Sequence, residues 1–116
     1  MHLKLTQTEE NYIKAIFKIT ESSQKAANTN SIALKLGTSA ASVTDMIKRL
    51  SEKKVINYEK YRGVTLTNVG VKLATALVRK HRLWETLLVK KLYFSWDEVH
   101  EVAEQLEHIK SEKLVD

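Results

Sequence analysis

The chain has 116 residues, no cysteine and no proline, with 43% hydrophobic and 28% charged residues and a net charge of +5. That is enough chain for a compact core in a soluble, globular protein, and it excludes disulfides, thiolate metal sites and cysteine nucleophiles. The lack of cysteine fits a reducing cytoplasm, no apolar run approaches the roughly 18 residues of a membrane span, and the start MHLKLTQTEE lacks the apolar core of a signal peptide.

The charge is unevenly spread. Residues 1–70 carry 11 Lys/Arg against 6 Asp/Glu, residues 71–94 carry 6 against 1, and residues 95–116 carry 2 against 7. A basic front and an acidic tail imply partners of opposite sign, a polyanion for the first and cations for the second.

In chain order, LTQTEENYIKAIFKI opens with Thr6 and Glu9 at capping-box spacing. Tyr12, Ile13, Ile16 and Phe17 then fall on one stripe, which predicts a helix to about Thr20. ESSQKAANTN is polar and reads as a loop. SIALKLG predicts a short helix stopped by Gly37. TSAASVTDMIKRLSEKK restarts at once, with Thr38 or Ser39 as cap and Val43, Ile47 and Leu50 facing inward. VINYE and VTLT, separated by KYRG, predict a hairpin. NVGVKLATALVRKHRLWETLLVKKLYF predicts a long helix capped by Thr67. SWDE, Ser95 to Glu98, is a second capping box, with a helix expected through VHEVAEQLEHIKSEKLVD.

This order of elements predicts a mainly α fold with a small β-hairpin wing: a winged helix-turn-helix over residues 1–70, then long helices over 71–116. In such a motif the second helix enters the major groove by its N-terminal residues. Those are Ser39, Ala41, Ser42 and Thr44, with Asp45 and Lys48 a turn further on. Small hydroxyl and methyl groups allow close approach. With no Arg or Gln in the first turn, shape and phosphate positioning are expected to carry much of the specificity. Lys60, Tyr61 and Arg62 at the hairpin tip are placed to reach the backbone or minor groove, and Lys48, Lys53 and Lys54 add phosphate-directed charge. The bland alternative is a structural three-helix unit with a solvated basic surface.

The histidines form the second constellation. His100, Glu104, Glu107 and His108 advance by four, three and one, within about 100° of arc on a helix. His81 and Glu85 are four apart on the preceding helix. If the two helices pack antiparallel, six nitrogen or oxygen donors converge. Imidazole and carboxylate without thiolate suit Mn²⁺ or Fe²⁺, with Zn²⁺, Co²⁺ and Ni²⁺ able to compete. The alternative is a wet, polar helix surface holding no ion.

TEENYIKAI, SVTDMIKRL, YEKYRGVTLTNVG, RKHRLWE and HEVAEQLEH together resemble the diphtheria-toxin-repressor and manganese-transport-regulator family of metal-dependent transcriptional repressors. The likeness spans essentially the whole chain. It implies a homodimer that binds a near-palindromic operator when loaded with Fe²⁺ or Mn²⁺ and silences metal-uptake genes. It further implies a binuclear site in which His81, Glu85, His100, Glu107 and His108 match family ligands. Glu104 stands where the family varies between Cys and Glu, and a hard oxygen there leans towards manganese. The family also takes a ligand from the first helix, and the matching residue is Asn11, a weaker donor than a carboxylate. The resemblance implies too that this sequence stops short of further dimerisation helix and of a small β-barrel domain. Trp84, Leu92, Tyr93, Phe94 and Trp96 are then expected as dimer or core anchors. Two rivals stand beside this reading: a winged-helix regulator that needs no metal, and a small metallohydrolase, for which no general base, nucleophile or substrate cleft is visible.

Overall fold

The structure, a computed structural model, describes residues 4–90 and 96–109, and of Trp96 and Asp97 the backbone only. The elements run α1 (Gln7–Ser23), α2 (Thr29–Leu36), α3 (Ala40–Glu52), β1 (Ile56–Glu59), β2 (Gly63–Leu66), α4 (Asn68–Lys90) and α5 (Trp96–Leu106). They divide into two compact units, residues 1–74 and 75–116.

In the first unit each helix is set by its ends. Thr6 accepts from the Glu9 N–H at 3.1 Å while the Glu9 carboxylate accepts from the Thr6 N–H at 2.9 Å, a complete capping box. The helix runs three residues past the expected Thr20, to a left-handed cap at Gln24. The segment expected as loop up to Asn30 already contains the start of α2. Asn28 is its cap, accepting from the Ser31 N–H at 2.7 Å. Gly37 ends α2 at φ 66°, as its sequence position predicts. Ser39, not Thr38, caps α3.

Tyr12, Ile13 and Ile16 of α1, Ile32 of α2, Val43, Ile47 and Leu50 of α3, and Val55, Ile56 and Val64 of the hairpin close one core. The hairpin pairs antiparallel in the register Ile56↔Leu66 to Glu59↔Gly63. An unexpected third segment joins it: Ala27 and Val64 exchange both backbone hydrogen bonds at 2.8 Å. That tie anchors the wing to the connection between α1 and α2. Gly63 is required there, because a Cβ would lie 2.5 Å from the Ala27 carbonyl oxygen and φ is +111°. Thr67 takes the capping role predicted for it, its Oγ1 accepting from the Gly70 N–H at 3.1 Å.

In the second unit, Leu88 on α4 packs with Val99 and Ala103 on α5, and Trp84, Val102 and Leu106 close the cluster. Trp84 is thus a core anchor. Leu92, Tyr93, Phe94 and the Ser95 cap lie outside the described residues, as does the Trp96 side chain. The helix expected through residue 116 ends at Leu106, and residues 110–116 also lie outside. The final turn tightens: the Glu107 N–H still reaches Ala103 O at 2.9 Å, whereas the His108 and Ile109 N–H groups bond only three residues back. Lys80 of α4 donates to the Ile109 carbonyl at 3.3 Å, satisfying a group that the helix end leaves open.

Candidate metal centre and nucleic-acid interface

The metal-ligating residue types gather in the second unit. His81 lies at mid-length of α4 with both ring nitrogens engaged: Nε2 is 3.3 Å from Oε1 of Glu85, one turn on, and Nδ1 is 3.1 Å from Oε1 of Glu107. The Glu107 side chain is wholly buried. A carboxylate taken out of water is costly unless a donor or cation faces it, and His81 supplies that partner. The His100 ring meets His81 edge-on, centroids 5.0 Å apart. One ligand atom from each of His81, Glu85 and His100 lies within 4.8 Å of the others.

Ligand atoms about 2.1 Å from an ion are at most about 4.2 Å apart. The trio therefore fits a divalent cation after a closure of a few tenths of an ångström. The donor chemistry fits as well, since all the groups are imidazole nitrogen or carboxylate oxygen. His100 reaches towards Glu104, Nε2 to Oε2 3.8 Å, with the His100 side chain largely in solvent and that of Glu104 half-buried. His108 is half-buried on the turn after α5, outside the trio.

Glu107 departs from the expected polar face. Counted along α5 it continues the buried stripe of Val99 and Ala103, four residues apart, while His100 and Glu104 one position on from each stay near water. The four donors expected on one face are thus divided by burial. Burial turns Glu107 towards α4, which spacing alone does not reveal. Asn11 belongs to the first unit, on α1. Its Oδ1 is enclosed and has no hydrogen-bond partner among the described residues.

In the first unit, the cap Ser39 and, on α3, Ala41, Ser42, Thr44, Asp45 and Lys48 are all exposed. The Ser39 hydroxyl donates to Ser42 Oγ at 3.0 Å and accepts from the Ser42 N–H at 3.1 Å. The hydroxyl pair is exposed. Thr44 spends its own proton on the Ala40 carbonyl at 3.0 Å, so it presents a methyl and lone pairs. At the wing tip Lys60 stands 5.3 Å over the Tyr61 ring. Tyr61 holds a left-handed φ of 72°, and Arg62 pairs loosely with Glu59 at 3.5 Å.

Lys53 corrects the expectation of a phosphate-directed charge. Its ammonium donates to Glu9 Oε2 at 2.7 Å and to the Lys4 carbonyl at 3.2 Å, so it ties α3 to the start of α1. Burial alone raises the Glu9 pKa, but the bond from Lys53, the Thr6 backbone N–H and the charge of Lys53 outweigh it and hold the carboxyl below its usual range. The sequence signal for this pair is faint: the spacing of Thr6 and Glu9 marks Glu9 only as half of a capping box.

Residues 67–116 match the family described as iron dependent repressor, metal binding and dimerisation domain. Residues 4–64 match its N-terminal DNA binding domain. The chain is 32% identical over 95% of its length to the diphtheria toxin repressor of Corynebacterium jeikeium, covering 45% of that protein. It is 33% identical over 96% of its length to the transcriptional regulator MntR of Oceanobacillus iheyensis, covering 74% of it. Among solved structures, the manganese regulator SloR superposes with a TM-score of 0.81 at 37% identity over 96% of this chain and 51% of that one. The chain thus spans about half the length of the diphtheria toxin repressor and of SloR. With a winged helix-turn-helix in one unit and an imidazole–carboxylate cluster in the other, the chain belongs to the iron-dependent repressor family of metal-dependent transcriptional regulators.

Proposed function

We propose that the chain is a cytoplasmic, metal-responsive repressor that binds a near-palindromic operator as a homodimer and controls metal-uptake genes. The activating ion is Mn²⁺ or Fe²⁺. The observation that carries this reading is the convergence of His81, Glu85 and His100 within 4.8 Å, beside the buried Glu107 carboxylate on His81. His81, Glu85, His100, Glu104, Glu107 and His108 form the proposed ligand set of a binuclear centre. Their carboxylates repel one another when empty. A bound cation supplies the positive charge that removes the repulsion and draws α4 and α5 together. The oxygen of Glu104, with no thiolate in the set, favours manganese over softer ions.

On the DNA side, Ser39, Ala41, Ser42 and Thr44 meet base edges and methyls, Asp45 and Lys48 follow a turn later, and Lys60, Tyr61 and Arg62 bind the flanking backbone. The support is their common exposure on α3 and the wing tip, within a stretch that matches a DNA-binding domain.

A thermal melt with added Mn²⁺ tests the metal half. At about 100 times the dissociation constant, Mn²⁺ is expected to stabilise the protein by about 2.7 kcal/mol. His100→Ala is expected to remove that gain while leaving the metal-free melt nearly unchanged, because 65% of its side chain is exposed. A wild-type melt indifferent to Mn²⁺ and Fe²⁺ would favour a metal-independent winged-helix regulator.

A further inference from the structure

β1 places Ile56 in the core, and at the two-residue period of a strand Tyr58 lies on the same face. Its partner across the hairpin, Val64, is fully buried. Tyr58 therefore stands on the inner side of the wing, yet it is 53% exposed. Its ring runs past the edge of the core and walls a cleft of about 370 Å³. Thr44, Ile47, Lys48 and Ser51 of α3 and Thr29 at the start of α2 line it as well. Positions 44, 48 and 51 advance by four and three, so they form one stripe of α3. Thr44 and Lys48 already belong to the proposed DNA-facing set, which makes the cleft continuous with that interface.

The lining has a definite chemistry. An aromatic ring with a free edge, hydroxyls on both walls and one ammonium suit a deoxyribose–phosphate unit. The sugar packs on the ring, the phenol O–H donates to a phosphate oxygen, and Lys48 balances the charge. Glu52 also lines the cleft, one turn beyond Lys48, and repels an anion. The phosphate is thereby held to the Lys48 side. We propose that Tyr58 is a DNA-binding residue that seats one sugar–phosphate unit of the operator backbone in the cleft between α3 and β1. The proposal rests on the reading of the first unit as a DNA-binding domain.

The test uses the full chain loaded with Mn²⁺ and a duplex that the wild-type protein has selected from random sequence. Tyr58→Ala is expected to weaken binding about tenfold and Tyr58→Phe about threefold. In both, the dependence of affinity on salt is unchanged, because a phenol releases no counterion. Lys48→Ala is expected to lower the salt slope by about 0.9. The loss in Tyr58→Ala should be equal across selected duplexes of different sequence, and ethylation of one backbone phosphate that blocks the wild type should be tolerated by this variant. Tyr58→Ala binding within twofold of wild type overturns the proposal, as does a loss confined to particular base sequences. A wild-type protein that selects no duplex overturns the DNA-binding reading itself.

Discussion

At the scale of single residues, burial decides which charges are structural and which are available. Glu9 is 1% exposed and Lys53 about a third exposed, at 2.7 Å. Half of this pair was legible, because Thr6 and Glu9 at capping-box spacing announce a helix start. The other half was not: Lys53 lies 44 residues away, and one more lysine in a basic segment carries no mark of its partner. Replacing Glu9 by Gln keeps a side chain that can complete the capping box and removes only the charge. Since the folded-state pKa of Glu9 is lowered, its contribution is complete above the ordinary carboxylate range, about 4.3. It is lost as the pH falls through the lowered folded value. Glu9→Gln is therefore expected to cost about 1–2 kcal/mol at pH 7, with the partner's partial exposure keeping the figure low. The gap from wild type should shrink in acid. Urea denaturation of both proteins at neutral pH and near pH 3 measures it, and a gap independent of pH would mean that the ion pair contributes nothing.

At the scale of elements, the caps and the helical stripes were legible because they depend on neighbours within four residues. Gly37, Ser39 and Thr67 punctuate the chain where their chemistry places them. The bridge from Ala27 to Val64 was not, since a two-residue pairing inside a polar segment has no periodicity to detect. Nor was the early end of α5, where the turn tightens at His108 and Ile109 rather than at a glycine or proline. The wing shows how an element presents its side chains. Arg62 and Glu59 are both strongly exposed at 3.5 Å, a pair that contributes little and leaves the guanidinium able to exchange its partner for a phosphate. Arg62→Ala is accordingly expected to weaken DNA binding alike on all sequences and to lower the slope of log affinity against log salt by about 0.9. Affinities measured by fluorescence anisotropy at several salt concentrations report this, and an unchanged slope would remove the wing tip from the interface.

At the scale of the whole molecule, the division of charge follows the division of labour. The first unit, proposed to bind DNA, is basic and the last helix acidic. On α4, Leu83 and Leu87 stand one turn apart and exposed, an apolar pair that a monomer would leave in water. In the proposed homodimer they are covered by a second copy, and a near-palindromic operator then meets two reading helices at once. Leu87→Glu is expected to shift the protein towards monomer in sedimentation velocity. It should also lower operator affinity by at least about 100-fold, because binding one half-site forgoes the effective concentration of the second. A variant that stays dimeric would place the interface elsewhere.

The order of helices and strands, the cap residues, the contrast between a basic front and an acidic tail, and the family could all be read along the chain. These are local or compositional properties, written within a few residues of where they act. That Lys53 is bound to Glu9, that Ala27 extends the wing, and that Glu107 turns from a polar face to the buried side of His81 emerges from packing between distant segments. Tyr58 is of the same kind, an inner-face aromatic left open beside α3. Each of these depends on which distant segments exclude water from which side chain, and burial, unlike periodicity, is a property of the folded chain as a whole.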